Sequence, residues 1–115
     1  MTTQLPTRAL TAEFSVAPQL EPAAMAAAAA AGFRSVINNR PDFEGGPEQP
    51  TSAQIEAAAL AAGLEYRYLP VSPAYQSPEE ISQFKQLIDK LPKPVLAFCR
   101  SGTRSGHLFA AATRL

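Results

Sequence analysis

The segment "KPVLAFCRSGTRSG", Lys93–Gly106, constrains this chain more than any other. Pro94 precedes the uninterrupted apolar run Val95–Phe98, and a polar, glycine-containing turn follows it. An apolar run without alternation suits a strand buried on both faces, as at the centre of a parallel sheet. Such a strand requires helices on both sides and crossover connections to its neighbours. The rest of the chain is expected to supply them.

Phe14-Ser15-Val16 reads as a short strand, whereas residues 1–12 are polar and irregular and are expected to fray. Glu21-Pro22 opens a helix through the alanine run Ala23–Ala31, with Gly32 as its stop. "FRSVIN", residues 33–38, is a strand by its β-branched content. Residues 39–50, rich in Pro and Gly, form a long loop. Thr51 with Gln54 is a capping box for a second helix that stops at Gly63. Residues 65–71, "EYRYLPV", alternate as a strand, and "SPAYQ" is a second loop. Ser77 with Glu80 is another capping box, with Pro78 in the first turn. Ile81, Phe84, Ile88 and Leu91 then share one helical face, and Pro92 and Pro94 end the helix. A last helix runs from about Thr103 to the C-terminus.

The alternation of strand and helix predicts one α/β domain over residues 1–115, a largely parallel central sheet flanked by helices. Ligands in such sheets sit beyond the carboxyl ends of the strands. Three segments reach that edge: loop 39–50, loop 72–77 and the turn after Val95–Phe98.

That turn contains Cys99, the only cysteine in 115 residues. A single Cys and a single His make an internal disulfide impossible and a metal site unexpected, and no cofactor is called for. Zero formal net charge offers no electrostatic attraction for nucleic acid or an anionic membrane. No apolar run approaches the ~20 residues of a membrane span and no signal-peptide pattern opens the chain, so a cytoplasmic location is the default expectation.

Between a buried strand and a helix, "CRSGTRS" can curl its backbone N–H groups around an anion. Gly102 permits a backbone conformation other residues resist, and Arg104 adds a planar cationic fork. The same field favours the thiolate of Cys99, making it a nucleophile aimed at a group with negative oxygens. Ser101, Gly102 and Thr103 belong to this cradle. Ser105 is a candidate hydrogen-bond donor to the sulfur, or a first-turn residue facing water. Arg100 is a candidate rim residue for an anionic substrate, or simply solvated. Arg40 can approach from its strand end, or form a surface ion pair. His107 reads as a surface residue, Tyr75 as a possible cover of the site, and Tyr66 and Tyr68 as sheet-packing residues.

Resemblance adds to this reading. Rhodaneses carry a C-x4-R loop, and cysteine phosphatases carry C-x5-R followed by Ser or Thr. Cys99 to Arg104 has the C-x4-R spacing. Yet "AAGFRSVINNRPD", "GLEYRYLPV" and "PVLAFCRSG" resemble successive segments of dual-specificity phosphatases. Over about residues 8–113 the combination resembles the phosphatase-like domain of the beta-lactamase hydrolase-like family. The resemblance implies a cysteine-phosphatase-like fold and a Cys99 nucleophile. Members of that family are described both as phosphatase-like and as sulfur transferases.

Three departures from the phosphatase pattern bear on the reaction. The loop is one residue short. Phe98 stands where phosphatases place a histidine. No Asp follows "PVS", where phosphatases keep the acid that protonates the leaving oxygen; Glu79 and Glu80 are helix-start residues. Asp42 can substitute as the acid from the other loop, or can be a turn residue beside Pro41. A missing acid fits sulfur transfer, so the sequence favours a sulfurtransferase working through a Cys99 persulfide. Its partners would be a small anionic or persulfide donor and a protein thiol acceptor. A phosphohydrolase using the same Cys99 and Arg104 is the alternative, and an idle anion-binding module is a third reading.

Overall fold

A computed structural model describes residues 5–115. The apolar run occupies the centre of a five-stranded sheet as β5 (Val95–Phe98). The other strands are β1 (Arg8–Thr11), β2 (Phe14–Ala17), β3 (Ser35–Asn38) and β4 (Glu65–Tyr68), in the order β1-β2-β5-β3-β4. β2 and β3 flank β5 and run parallel to it, β4 runs parallel to β3, and only β1 is antiparallel. The register places Ala17, Asn38 and Phe98 side by side, so the chain leaves β2, β3 and β5 at one level.

Four helices cover the two faces: α1 (Ala24–Ala30), α2 (Ser52–Ala61), α3 (Pro78–Lys90) and α4 (Thr103–Ala112). Side chains alternate across a strand, so β5 divides itself between two cores. Leu96 and Phe98 pack with Met25, Ala28, Ile55 and Ala59 of α1 and α2. Val95 and Ala97 pack with Phe84 of α3 and Leu108 and Ala112 of α4. α1 and α2 each end in a Schellman turn around a left-handed glycine. At Gly32 (φ 100°) the N–H of Phe33 donates to Ala28 C=O, and at Gly63 (φ 83°) that of Leu64 donates to Ala59 C=O. Both predicted capping boxes are present, on Thr51 with Gln54 and on Ser77 with Glu80.

Three expectations about the elements need correction. Residues 8–11 are not irregular: they form β1, joined to β2 by a tight turn in which Glu13 N–H donates to Thr11 Oγ1. β1 is an edge strand with mostly exposed side chains, so it carries no apolar signal. The remainder of that expectation at residues 1–4 lies outside the described residues. α1 begins at Ala24 rather than at Pro22, whose carbonyl instead accepts from Met25 N–H in the turn before the helix. β4 ends at Tyr68, although Leu69 and Val71 N–H groups still donate to the carbonyls of Asn38, the last residue of β3, and of Asn39 just beyond it. Among the described residues, no helix is long and apolar enough to cross a membrane.

Candidate active site

Cys99 follows β5 directly, and its sulfur is enclosed by the turn that leads into α4. Gly102, the residue capping α4, has φ 91°, in the left-handed region where side chains are strained. That conformation turns its N–H back onto the Cys99 sulfur, at 3.1 Å. Burial pushes the thiol pKa up. The N–H and hydroxyl of Ser105 and the N–H groups of Ser101 and Gly102 outweigh burial, and the pKa lies below that of an ordinary thiol. Of the residues in "CRSGTRS", Ser101, Gly102 and Ser105 turn toward the sulfur, whereas Thr103 N–H donates to Ser101 Oγ at 3.3 Å. The Ser105 hydroxyl is also within 2.8 Å of Asn39 Oδ1, whose amide is oriented by donation from Nδ2 to Leu69 C=O at 2.9 Å. Its single proton has two acceptors, so the Ser105 N–H is its constant contribution to the sulfur.

Arg104 lies in the first turn of α4 and is only 7 % exposed. Nη1 donates to Val71 C=O at 2.9 Å and to Asn39 C=O at 3.4 Å. Nη2 donates to Glu44 Oε1 at 2.9 Å. Nε is buried and has no partner. A guanidinium has five N–H donors. The backbone and Glu44 use three of them, which leaves Nε–H and the second Nη2–H. This is the edge of the fork that can bind two oxygens of one oxyanion. A buried donor without a partner costs free energy, and a bound anion would remove that cost.

Glu44 is the site residue that sequence reasoning missed. Its Oε1 accepts from Arg104 Nη2 and also from Arg40 Nε at 3.0 Å. Burial pushes its pKa up, but hydrogen bonds and charge from Arg104 and Arg40 hold it below the usual carboxylate value. One carboxylate oxygen thus ties two guanidinium groups together. Loop 39–50 is shaped to aim it inward. Phe43 takes a left-handed φ of 65° and Gly46 one of 92°. Gln49 staples the loop, accepting from Gly45 N–H at 2.7 Å and donating to Pro41 C=O at 2.9 Å. A side chain at Gly45 would begin 2.6 Å from Arg40 Nη2, so the guanidinium lies against bare backbone. The spacing of Arg40 and Glu44 was the only sequence hint, and outside a helix it does not imply contact.

Asp42 is not brought to the sulfur. Its Oδ1 accepts from Ser52 N–H at 2.7 Å and its own N–H donates to Tyr68 Oη at 2.8 Å. It anchors loop 39–50 to the start of α2 and lines neither of the cavities at Cys99. Tyr68 is thus a loop support, half exposed, while Tyr66 is buried as expected and its hydroxyl meets Ser52 Oγ and Asn38 Nδ2.

A cavity of about 210 Å³ lies over Cys99, lined by Arg100, Ser101, Thr103, Arg104, His107, Pro73 and Gln76. Arg40 and Glu44 line an adjoining space with Arg100 and Arg104. His107, read from the sequence as a surface residue, is exposed but stands in the wall of the first cavity. Tyr75 is 65 % exposed and lines neither space. Among the described residues, no group of His, Cys, Asp and Glu is placed to hold a metal ion.

Residues 6–115 match the phosphatase-like domain of beta-lactamase hydrolase-like proteins. The chain belongs to this family. It is 41 % identical over 86 residues to the beta-lactamase hydrolase-like protein of Agrobacterium fabrum, covering 75 % of this chain and 20 % of that protein. The chain spans about a fifth of the length of the curated relatives it matches. Among solved structures, a candidate phosphatase from Neisseria meningitidis is 35 % identical with a TM-score of 0.81, over 88 % of this chain and 71 % of that one. The core catalytic domain of a PP-IP phosphatase from S. cerevisiae is 13 % identical with a TM-score of 0.74, over 98 % and 68 % of the two chains. This second likeness concerns the fold alone. This domain thus has the cysteine-phosphatase-like fold that its segments resemble, and the similar solved structures are described as phosphatases.

Proposed function

We propose that this domain is a phosphohydrolase that works through a Cys99 thiophosphate. The observation that carries the reading is the unpartnered, buried Nε of Arg104 in the turn that encloses the Cys99 sulfur, which accepts from Gly102 N–H at 3.1 Å. A phosphoryl group over Cys99 would place oxygens on the free edge of the Arg104 fork and on the loop amides. The thiolate donates an electron pair to phosphorus, the S–P bond forms, and the ester P–O bond breaks with its electrons leaving on oxygen. Arg104 and the loop N–H groups stabilise the charge on the transferring oxygens. Water then attacks phosphorus, releasing phosphate and returning the thiolate.

No carboxylate lines the cavity over Cys99. The leaving oxygen therefore departs with little protonation from the protein, which favours leaving groups of low basicity such as aryl oxides. The test is hydrolysis of an aryl phosphate, with the intact protein mass followed after rapid quenching. Turnover with a phosphoryl adduct, both lost in Cys99→Ser, is the expected result. An intact ester in the presence of folded protein would refute the reading.

The same missing acid, with the short C-x4-R loop, favours a second reading, sulfur transfer from a small anionic donor through a Cys99 persulfide to a protein thiol. A sulfur adduct after exposure to thiosulfate, with no phosphoryl adduct from the aryl phosphate, would select it.

A further inference from the structure

The space beside the cavity over Cys99 holds more positive charge than phosphoryl transfer uses. It measures about 480 Å³ and is lined by Arg40, Glu44, Gly45, Pro73, Arg100 and Arg104, with Pro73, Arg100 and Arg104 common to both cavities. Three guanidinium groups there face one carboxylate. Glu44 is already shared between Arg104 and Arg40 through a single oxygen.

Two sets of donors remain. Arg40 is buried; its Nε goes to Glu44 and its Nη1 to Gln19 Oε1 at 3.1 Å, which leaves Nη2 without a partner among the described residues. Gly45 keeps the ground in front of that nitrogen clear, since a Cβ would stand 2.6 Å from it. The Arg100 side chain is exposed and has neither ion pair nor hydrogen bond among the described residues. Gln19 ties the two together: its side chain holds Arg40, and its N–H donates to the Arg100 carbonyl at 3.2 Å. Arginines gathered on a concave surface repel one another, and a dianion between them turns that cost into binding.

We propose that this space is a subsite for a second phosphate group, so that preferred ligands carry two phosphates, one over Cys99 and one between Arg40 and Arg100. The assignment of the first phosphate rests on the phosphatase reading above. The second phosphate takes charge-assisted hydrogen bonds from Arg40 Nη2 and the Arg100 fork. Glu44 keeps Arg40 and Arg104 apart in function, neutralising the ground between the two anion positions.

The test is calorimetric binding to Cys99→Ser protein, with inorganic phosphate, fructose 6-phosphate, pyrophosphate and fructose 1,6-bisphosphate as probes. At least one doubly phosphorylated probe should bind about tenfold tighter than either single-phosphate probe. Pyrophosphate in that role means adjoining phosphates, and the bisphosphate means separated ones. Adding Arg100→Gln should remove most of the advantage while weakening inorganic phosphate less. Equal affinity for single and double phosphates, or an equal loss for every probe in Arg100→Gln, would overturn the subsite. These are binding measurements on protein without its nucleophile, so they remain readable if aryl phosphate hydrolysis fails.

Discussion

Glu44 Oε1 lies 2.9 Å from Nη2 of Arg104, sixty residues further along the chain. The contact fixes one end of a guanidinium whose Nη1 faces two backbone carbonyls and whose buried Nε has no partner. The cradle loop and loop 39–50 are thereby held as one unit.

Glu44→Gln is expected to weaken that unit in a pH-dependent way. The folded carboxylate has a pKa below its ordinary 4.5. The stability it contributes is therefore complete above about that value and is lost as pH falls through the lower folded pKa. At pH 7 the variant should be less stable by about 1–3 kcal/mol, because two arginines lose a charged acceptor. Urea unfolding at pH 7 and at pH 3 checks this: the gap between wild type and variant should narrow in acid. A gap that stays constant would place the effect elsewhere than the charge.

Cys99 should alkylate with a midpoint below the ~8.5 of a free thiol. Burial opposes this, but the N–H and hydroxyl of Ser105 and the N–H groups of Ser101 and Gly102 prevail. Iodoacetamide rates against pH measure it. Ser105→Ala should move the midpoint up by less than Gly102→Ala does, because the alanine keeps its N–H at position 105 whereas a side chain at φ 91° distorts the turn.

Arg104→Lys preserves charge and should still lower kcat/KM for an aryl phosphate by about 10²–10³, the usual cost of losing a donor to developing oxyanion charge. A lysine has no edge equivalent to Nε–H with Nη2–H, and it leaves Val71 C=O or Glu44 short of a donor. Activity within about twofold of wild type would show that the fork does not meet the reacting group.

Asp42→Asn separates a cap from an acid. The amide still accepts from Ser52 N–H, so hydrolysis should change little for good and poor leaving groups alike. Asp42→Ala should cost about 0.5–2 kcal/mol in urea unfolding, as removal of a helix-end acceptor does. A selective loss on poor leaving groups in the Asn variant would identify Asp42 as the proton donor.

Most of the scaffold was written locally. Val95–Phe98 could be buried only at a sheet centre, Gly32 and Gly63 could close helices through positive φ, and the two capping boxes marked helix starts within four residues of chain. The Cys99 cradle was legible for the same reason: its N–H groups, its glycine and its arginine are neighbours in sequence. What no local pattern carries is the choice among distant partners. β1 was invisible because an exposed edge strand has no apolar period, and its strand character comes from pairing with β2. Asp42 and Glu44 stand two positions apart in one loop, both plausible as site carboxylates. The left-handed turn at Phe43 and the staple from Gln49 send Glu44 to Arg104 and leave Asp42 on α2. The division follows from range: backbone conformation and capping are settled by residues a few positions apart, whereas the electrostatics of a buried guanidinium depend on whichever groups the packed sheet brings within hydrogen-bonding distance.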